Sequence, residues 1–162
     1  MKELYVNFGC GTHCPDAFTN YDGSLNLRMQ RLPIVGNLVT SAMTVKFPAN
    51  AQYGDIVKGL PLSDGSLKGI YSSHVLEHLT LEELRIALRN CYKYLEPGGT
   101  MRSVLPNLED CVKSYLAEKQ KGNKEASVNF MRYTFLGYEQ RPSGLISLLK
   151  SHFSGYHHFW MW

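Results

Sequence analysis

The sequence lacks the features that mark membrane, secreted and disordered proteins. None of its apolar runs approaches the ~20 residues that span a bilayer. No signal-peptide pattern precedes the first apolar segment, so we expect no membrane span and a cytoplasmic location. The four cysteines among 162 residues do not make a disulfide framework, and we expect reduced thiols. Charged residues make up 19% of the chain and hydrophobic residues 44%, which excludes a mainly disordered protein.

Clustered basic residues are also missing. The net charge is +3, and no long run of lysine or arginine produces it. We therefore expect no nucleic-acid partner, because such partners need a concentrated basic surface. Internal repeats and low-complexity tracts are absent as well, and the length suits one domain over residues 1–162.

Short apolar segments that end at turn residues alternate with helical patterns along the chain. Strands are predicted over residues 4–8, 18–21, 38–47, 69–73 and 100–105, with Asp55 at the end of the third. Helices are predicted over 107–122, 124–138 and 145–153, and residues 25–37 are ambiguous. Asn107 can cap the first of these helices, and its apolar face is predicted to contain Leu108, Cys111, Val112, Tyr115 and Leu116. This alternation favours a parallel sheet with helices on its faces. Ligands bind beyond the carboxyl ends of the strands in such sheets.

The clearest helical pattern follows Thr80, which can form a capping box with Glu83. Apolar residues then recur at spacings of three and four, as on one buried face: Leu81, Leu84, Leu88, Cys91 and Leu95. The Pro97-Gly98-Gly99 turn is predicted to end this helix.

Two glycines follow the first strand, in Gly9-Cys10-Gly11. Glycines at this place let the backbone turn sharply and let a ligand come close. The third glycine of a dinucleotide fingerprint would stand at position 14, where the sequence has Cys14. A nicotinamide-dependent oxidoreductase is therefore the less favoured reading of this loop.

Two carboxylates follow later strands. Asp22 can accept hydrogen bonds from the two hydroxyls of a ribose, or it can form an Asx turn with its own backbone. Asp55 can accept a hydrogen bond from the exocyclic amine of an adenine. The sequence alone leaves both interpretations of Asp22 open.

The segment from His74 to His78 has the spacing of an inverted zinc-peptidase motif, His-x-x-Glu-His. It follows a strand directly, however, and no distant acidic ligand stands out, so a zinc hydrolase is disfavoured. Cys10, His13 and Cys14 lack a second ligand pair. We expect no metal site.

Five segments in order resemble the class I S-adenosylmethionine-dependent methyltransferases. They are VNFGCG at 6–11, NYDGS at 20–24, DIVKGLPLSDGSL at 55–67, IYSSHVLEHL at 70–79 and LEPGGT at 95–100. The resemblance runs from about residue 4 to 109. It is strongest to a small-molecule branch associated with cell-envelope glycan genes. The chain departs from that pattern at Leu67-Lys68, where the family usually has an aromatic residue and an aspartate.

The resemblance implies a fold, a cofactor and a division of the chain. The fold would be a Rossmann-like, mostly parallel sheet of about five strands, ordered 3-2-1-4-5, with helices on both faces. The final antiparallel strands of the family would be missing, as in a chain truncated at its C-terminus. Residues 1–106 would form the cofactor-binding core, and residues 107–162 a helical segment covering the acceptor. The residues implied to bind S-adenosyl-L-methionine are Asn7, Phe8, Gly9, Cys10, Gly11, Asp22, Gly23, Ser24, Asp55, Ile56, Ser72, Ser73 and His74.

The implied reaction moves a methyl group to an O or N of a small molecule or glycan precursor. His74 is the candidate general base, because it follows the fourth strand and a histidine accepts a proton near neutral pH. An inactive or truncated S-adenosylmethionine-binding protein is the main alternative. The fifth strand would leave an open sheet edge, through which a homodimer could form.

Overall fold

The predicted apolar segments pair into a parallel sheet in a computed structural model, which describes residues 4–33, 45–137 and 158–161. Its strands are β1 (Tyr5–Phe8), β2 (Thr19–Asp22), β3 (Ala51–Tyr53), β4 (Leu67–Ser73) and β5 (Leu95–Val104). They lie in the order β3-β2-β1-β4-β5, and every neighbouring pair is parallel. The predicted five-stranded Rossmann-like sheet and its strand order are confirmed.

Helices separate or follow these strands. They are α1 (Leu25–Gln30), a short 3-10 helix (Leu76–His78), α2 (Leu81–Tyr94), α3 (Leu108–Gln120) and α4 (Ala126–Tyr133). The predicted helix over 145–153 lies outside the described residues. No helix in the described part of the chain is both long and apolar enough to cross a bilayer.

The described elements group into two compact units. The first, residues 4–33, 45–73 and 82–104, contains the whole sheet. The second, residues 74–81, 105–137 and 158–161, contains the 3-10 helix, α3 and α4. The division at residue 106 into a cofactor-binding core and an acceptor-side segment stays a prediction.

The core of the first unit is built on β1, the middle strand of the sheet. Val6 and Phe8 on this strand are almost completely buried. A second cluster joins the loop after β1 to α1 and β3, and its members are Cys10, Leu27 and Ala51, with Cys14 and Phe47 packed against them. Burial of apolar surface stabilises by ~25 cal/mol per Å², so this cluster holds the glycine loop against its neighbours.

The third strand does not lie where the sequence predicted it. Residues 45–47 are outside any strand, residues 38–44 are not described, and β3 is formed by Ala51–Tyr53. Asp55 therefore lies two residues beyond β3 rather than at its end. The β-branched residues before Phe47 misled the prediction, because pairing with β2 selects Ala51–Tyr53 instead.

The end of α2 also differs from the prediction. The helix ends at Tyr94, and Pro97-Gly98-Gly99 lies inside β5. Leu67 and Gly69 of β4 pair with Leu95 and Thr100 of β5, so extra residues of β5 bulge at this point. Because Leu95 pairs with β4, its backbone can form hydrogen bonds within the sheet. These bonds would be lost if the helix continued for another turn.

The buried face of α2 is turned from the predicted one. Leu84, Ala87, Cys91 and Tyr94 are buried, whereas Leu88 is 42% exposed. The Tyr94 hydroxyl accepts a hydrogen bond from the Leu60 N–H (2.8 Å) and donates one to the Leu60 carbonyl (3.1 Å). A buried tyrosine needs such partners, and they fix the side of the helix that faces the core.

Helix α3 of the second unit begins at a capping residue. The Asn107 side chain accepts hydrogen bonds from the N–H groups of Glu109 and Asp110, which confirms the predicted cap of α3. The predicted apolar face of α3 is not fully buried, since none of the residues of this helix is. Tyr115 contacts Phe130 of α4 with ring centroids 5.6 Å apart.

Candidate functional site

The loop after β1 is held in a conformation that favours glycine. Gly9 and Gly11 have φ angles of 65° and 52°, in the left-handed region. The Cys10 N–H donates to the Tyr21 carbonyl (3.1 Å), and the Gly11 N–H donates to Asp22 Oδ2 (2.9 Å). A Cβ atom on Gly11 would meet no described atom within 4 Å. The loop is thus fixed by β2, while the space beside Gly11 stays open.

Asp22, the last residue of β2, is buried and uses both carboxylate oxygens. Oδ2 accepts from Gly11 N–H, and Oδ1 accepts from the Ser24 N–H (2.9 Å), which is the Asx turn considered from the sequence. Ser24 in turn caps α1 by accepting from the Leu27 N–H. A carboxylate has about four acceptor positions, so each oxygen keeps capacity for one more donor.

Asp55 forms a second turn beyond β3. Its Oδ1 accepts from the Val57 N–H (2.9 Å), and its Oδ2 lies 3.1 Å from Lys58 Nζ. The hydrogen bond and charge of Asp55 raise the pKa of Lys58. Ile56 is buried, and its carbonyl accepts from the Asn90 side chain of α2 at 2.7 Å. This turn presents a half-buried carboxylate beside a buried apolar side chain.

Gly54, which the sequence analysis did not single out, joins the two carboxylate turns. Its N–H donates to the Asp22 carbonyl at 3.1 Å. A Cβ atom on Gly54 would lie 2.6 Å from Tyr21 and 2.7 Å from Leu60, so a larger residue would force these side chains to shift. A Cβ atom on Gly23 would lie 3.4 Å from the Gly54 carbonyl oxygen, in ordinary contact. The only sequence signal for Gly54 is its place directly before Asp55.

Three predicted cofactor-binding residues on β1 and β4 also have side chains packed or bonded within the fold. Asn7 donates to the His13 carbonyl (3.2 Å) and to Asn20 Oδ1 (3.1 Å). Phe8 is 1% exposed, and the Ser72 hydroxyl bonds the Ser103 hydroxyl at 3.0 Å. The side chains of Phe8 and Ser72 therefore offer a ligand almost no surface. Ser73, the last residue of β4, is half-buried.

The cysteines of the glycine loop lie side by side. Cys14 Sγ lies 3.4 Å from Cys10 Sγ, and both cysteines are free. Burial, reinforced by Cys14 and by the charge of Asp22, raises the pKa of the Cys10 thiol far above its ordinary value. The protonated thiol of Cys10 is therefore favoured, and as a thiol it is a weak nucleophile.

His74 belongs to the second unit and has an unusual backbone. Its φ angle is 54°, a left-handed conformation that costs a non-glycine residue free energy and is common at functional sites. Its ring Nδ1 lies 3.0 Å from Glu77 Oε1. The His74 side chain is 60% exposed and that of Glu77 is 0% exposed. The structure thus provides a buried carboxylate that orients an exposed imidazole.

The structure brings the predicted residues together in two groups. The turns containing Gly9–Gly11, Asp22–Ser24 and Asp55–Ile56 adjoin one another in the first unit through the bonds described above. His74 lies with Glu77 in the second unit. A sequence model of the methyltransferase domain matches residues 6–102, more than half of the chain. The chain belongs to the methyltransferase-domain family.

This membership confirms the predicted class I S-adenosylmethionine-dependent methyltransferase resemblance. The relation to glycan-associated members and the C-terminal truncation stay predictions. No curated protein matches this methyltransferase domain significantly.

Solved structures resemble the methyltransferase domain at low identity. The PH0226 protein from Pyrococcus horikoshii OT3 is 16% identical, over 73% of this chain and 55% of that one, with a TM-score of 0.47. An S-adenosylmethionine-dependent methyltransferase from Mesorhizobium loti is 20% identical, over 65% and 47%, with a TM-score of 0.41. A possible histamine N-methyltransferase from Thermotoga maritima is 18% identical, over 85% and 66%, with a TM-score of 0.45. The chain spans 47–66% of the length of these three.

Proposed function

We propose that the chain binds S-adenosyl-L-methionine on the turns of the first unit and transfers its methyl group to an O or N of a small-molecule or glycan-precursor acceptor. The observation that supports this most is the direct bonding of the glycine loop and the Asp55 turn to Asp22 and its backbone. Three turns from neighbouring parallel strands are thereby fixed before any ligand arrives, in a chain of the methyltransferase-domain family.

The residues of these turns fit the parts of the cofactor. The open space beside Gly11 admits a ligand close to the backbone. The remaining acceptor positions of Asp22 suit the two ribose hydroxyls, since each oxygen uses one position within the fold. Asp55 would accept from the adenine amine, and Ile56 would add apolar contact.

His74 would accept the proton of the acceptor. When bound, S-adenosylmethionine supplies an electrophilic methyl group on its sulfonium. The contact between Glu77 and Nδ1 holds the His74 ring in one orientation and leaves Nε2 for the proton of an acceptor hydroxyl. A positioned general base contributes roughly 10²–10⁴-fold to a rate.

Calorimetric titration with S-adenosylhomocysteine and with NAD tests the proposed cofactor. We expect micromolar affinity for the first compound and no heat of binding for the second. Binding of NAD alone would instead support the oxidoreductase alternative, and failure of both would remove the proposed site. Transfer of labelled methyl groups to a panel of hydroxyl and amino compounds then distinguishes an enzyme from an inactive binding protein.

Replacing His74 with asparagine should slow methyl transfer by about 10²-fold or more while leaving affinity for S-adenosylhomocysteine within about twofold. Asparagine is the better test than alanine, because it tolerates the left-handed backbone and removes the base. The measurements are initial rates, calorimetry and the melting temperature. Unchanged rates in H74N would exclude His74 as the base, and equal losses of rate and affinity would make it a binding residue.

A further inference from the structure

Glu77, His78 and His158 lie together in the second unit. One ligand atom from each of these residues lies within 4.8 Å of the others. The rings of His78 and His158 meet edge to face, with centroids 5.0 Å apart. The backbone next to His158 is bound here as well, because the Glu77 carbonyl accepts hydrogen bonds from the N–H groups of Phe159 (2.7 Å) and Trp160 (3.3 Å).

Two polar atoms of this cluster are buried without a hydrogen-bond partner in the described part of the chain. They are Glu77 Oε2 and His158 Nδ1. The Glu77 side chain is completely buried, and only its other oxygen is engaged, by His74. Burying a carboxylate oxygen or an imidazole nitrogen without a partner is costly, and native proteins seldom do so. Because two such atoms lie in one cluster, a single ligand that binds both of them would remove this cost.

His158 is fixed by its backbone and by ring contacts. Its N–H donates to the Phe135 carbonyl (3.1 Å), and its ring packs against that of Phe135 with centroids 5.3 Å apart. The buried Nδ1 of this ring has no hydrogen-bond partner among the described residues. Neutral imidazole binds metals through an unprotonated ring nitrogen, so Nδ1 is the atom of His158 that can act as a ligand.

We infer that Glu77, His78 and His158 bind one divalent transition-metal ion of the zinc type. Two imidazoles with one carboxylate are a ligand set of catalytic zinc sites, which keep a fourth position for water or substrate. Calcium and magnesium are disfavoured, because they select oxygen ligands. In tetrahedral zinc sites the ligand atoms lie ~3.3 Å apart, so binding would draw these side chains together. His74 would orient Glu77 from outside.

This inference departs from the expectation of no metal site and does not rest on the proposed methyl transfer. The spacing of His74 and His78 drew attention to the segment, but His74 is not in the cluster. His158 is separated from His78 by 80 positions in the sequence, and only the fold brings it to Glu77.

The test is metal binding by the full chain after removal of metal with a chelator. Calorimetry with Zn²⁺ should show one equivalent bound, and Co²⁺ should give the intense visible absorption of a tetrahedral site. Zn²⁺ should also raise the melting temperature, because it binds the folded chain alone. Absence of stoichiometric Zn²⁺ binding in the wild-type chain would overturn the inference.

Matched variants locate the ion. Glu77→Gln and His158→Gln should each weaken Zn²⁺ binding by at least about 100-fold and remove the Co²⁺ absorption. Glu82→Gln, on an exposed carboxylate, and His13→Gln, on an exposed histidine of the glycine loop, should bind like the wild type. Loss of binding in H13Q with retention in E77Q and H158Q would place the metal at the loop cysteines and contradict the inference. If one cluster variant fails to fold, as judged by circular dichroism, the other and His78→Gln decide.

Discussion

Replacing Asp22 with alanine should weaken binding of S-adenosylhomocysteine by roughly 5- to 150-fold, equivalent to ~1–3 kcal/mol. The substitution removes the proposed acceptor of the ribose hydroxyls. It also leaves the N–H groups of Gly11 and Ser24 without their carboxylate partner, so the glycine loop loses one of its hydrogen bonds to β2. Calorimetry on the variant and the wild-type chain measures the loss directly.

Two controls separate the ribose contact from the support of the loop. Asp64→Ala removes an exposed carboxylate that pairs with Lys93, and it should leave affinity unchanged. An analogue of S-adenosylhomocysteine without the two ribose hydroxyls completes a double-mutant cycle with Asp22→Ala. If Asp22 contacts the hydroxyls, the two losses will not add. Fully additive losses would show that Asp22 only supports the loop.

Replacing Gly54 with alanine should destabilise the first unit by ~1–3 kcal/mol, the usual cost of overpacking. The new methyl group would overlap the Tyr21 ring and a methyl group of Leu60, and both of these side chains are buried. The cofactor affinity should fall as well, because Gly54 joins the Asp22 turn to Asp55. Urea unfolding gives the free energy, and calorimetry gives the affinity.

Gly23→Ala is the matched control for this stability measurement. The added methyl group at Gly23 meets its nearest neighbour at 3.4 Å, an ordinary contact, and neither glycine has a positive φ angle. We expect Gly23→Ala to change the free energy of unfolding by less than about 1 kcal/mol. Equal destabilisation by the two variants would show that steric overlap is not what requires glycine at position 54.

The sequence correctly predicted those elements for which the neighbouring residues favour the same structure as the contacts with distant residues. Tyr5–Phe8 is short, apolar and followed by Gly9, and it is both the predicted first strand and the observed centre of the sheet. Asn107 carries its capping signal on its own side chain, and the cap is present. In these cases a few neighbouring residues contain the information that the fold uses.

The sequence failed where a distant partner decides the structure. Leu88 belongs to the helical stripe by spacing, yet the bonds of Tyr94 with Leu60 turn another face of α2 inward. Pro97-Gly98-Gly99 looks like a helix end by itself, but pairing with β4 begins at Leu95. The candidate site shows the same limit, because residue type and spacing indicated Asp22 and His74 but neither Gly54 nor the proximity of Glu77 to His158.

The bulge in β5 restricts how the described sheet could grow. β5 is the terminal strand, and Pro97 has no N–H to offer an incoming strand. Regular pairing with β4 runs only from Thr100 to Val104. The irregular first half of β5, before Thr100, therefore opposes the pairing of a long strand along this edge. A homodimer formed through this edge would share a ladder of about five residues. Most of the affinity between the two subunits would therefore have to come from side chains beside these five residues.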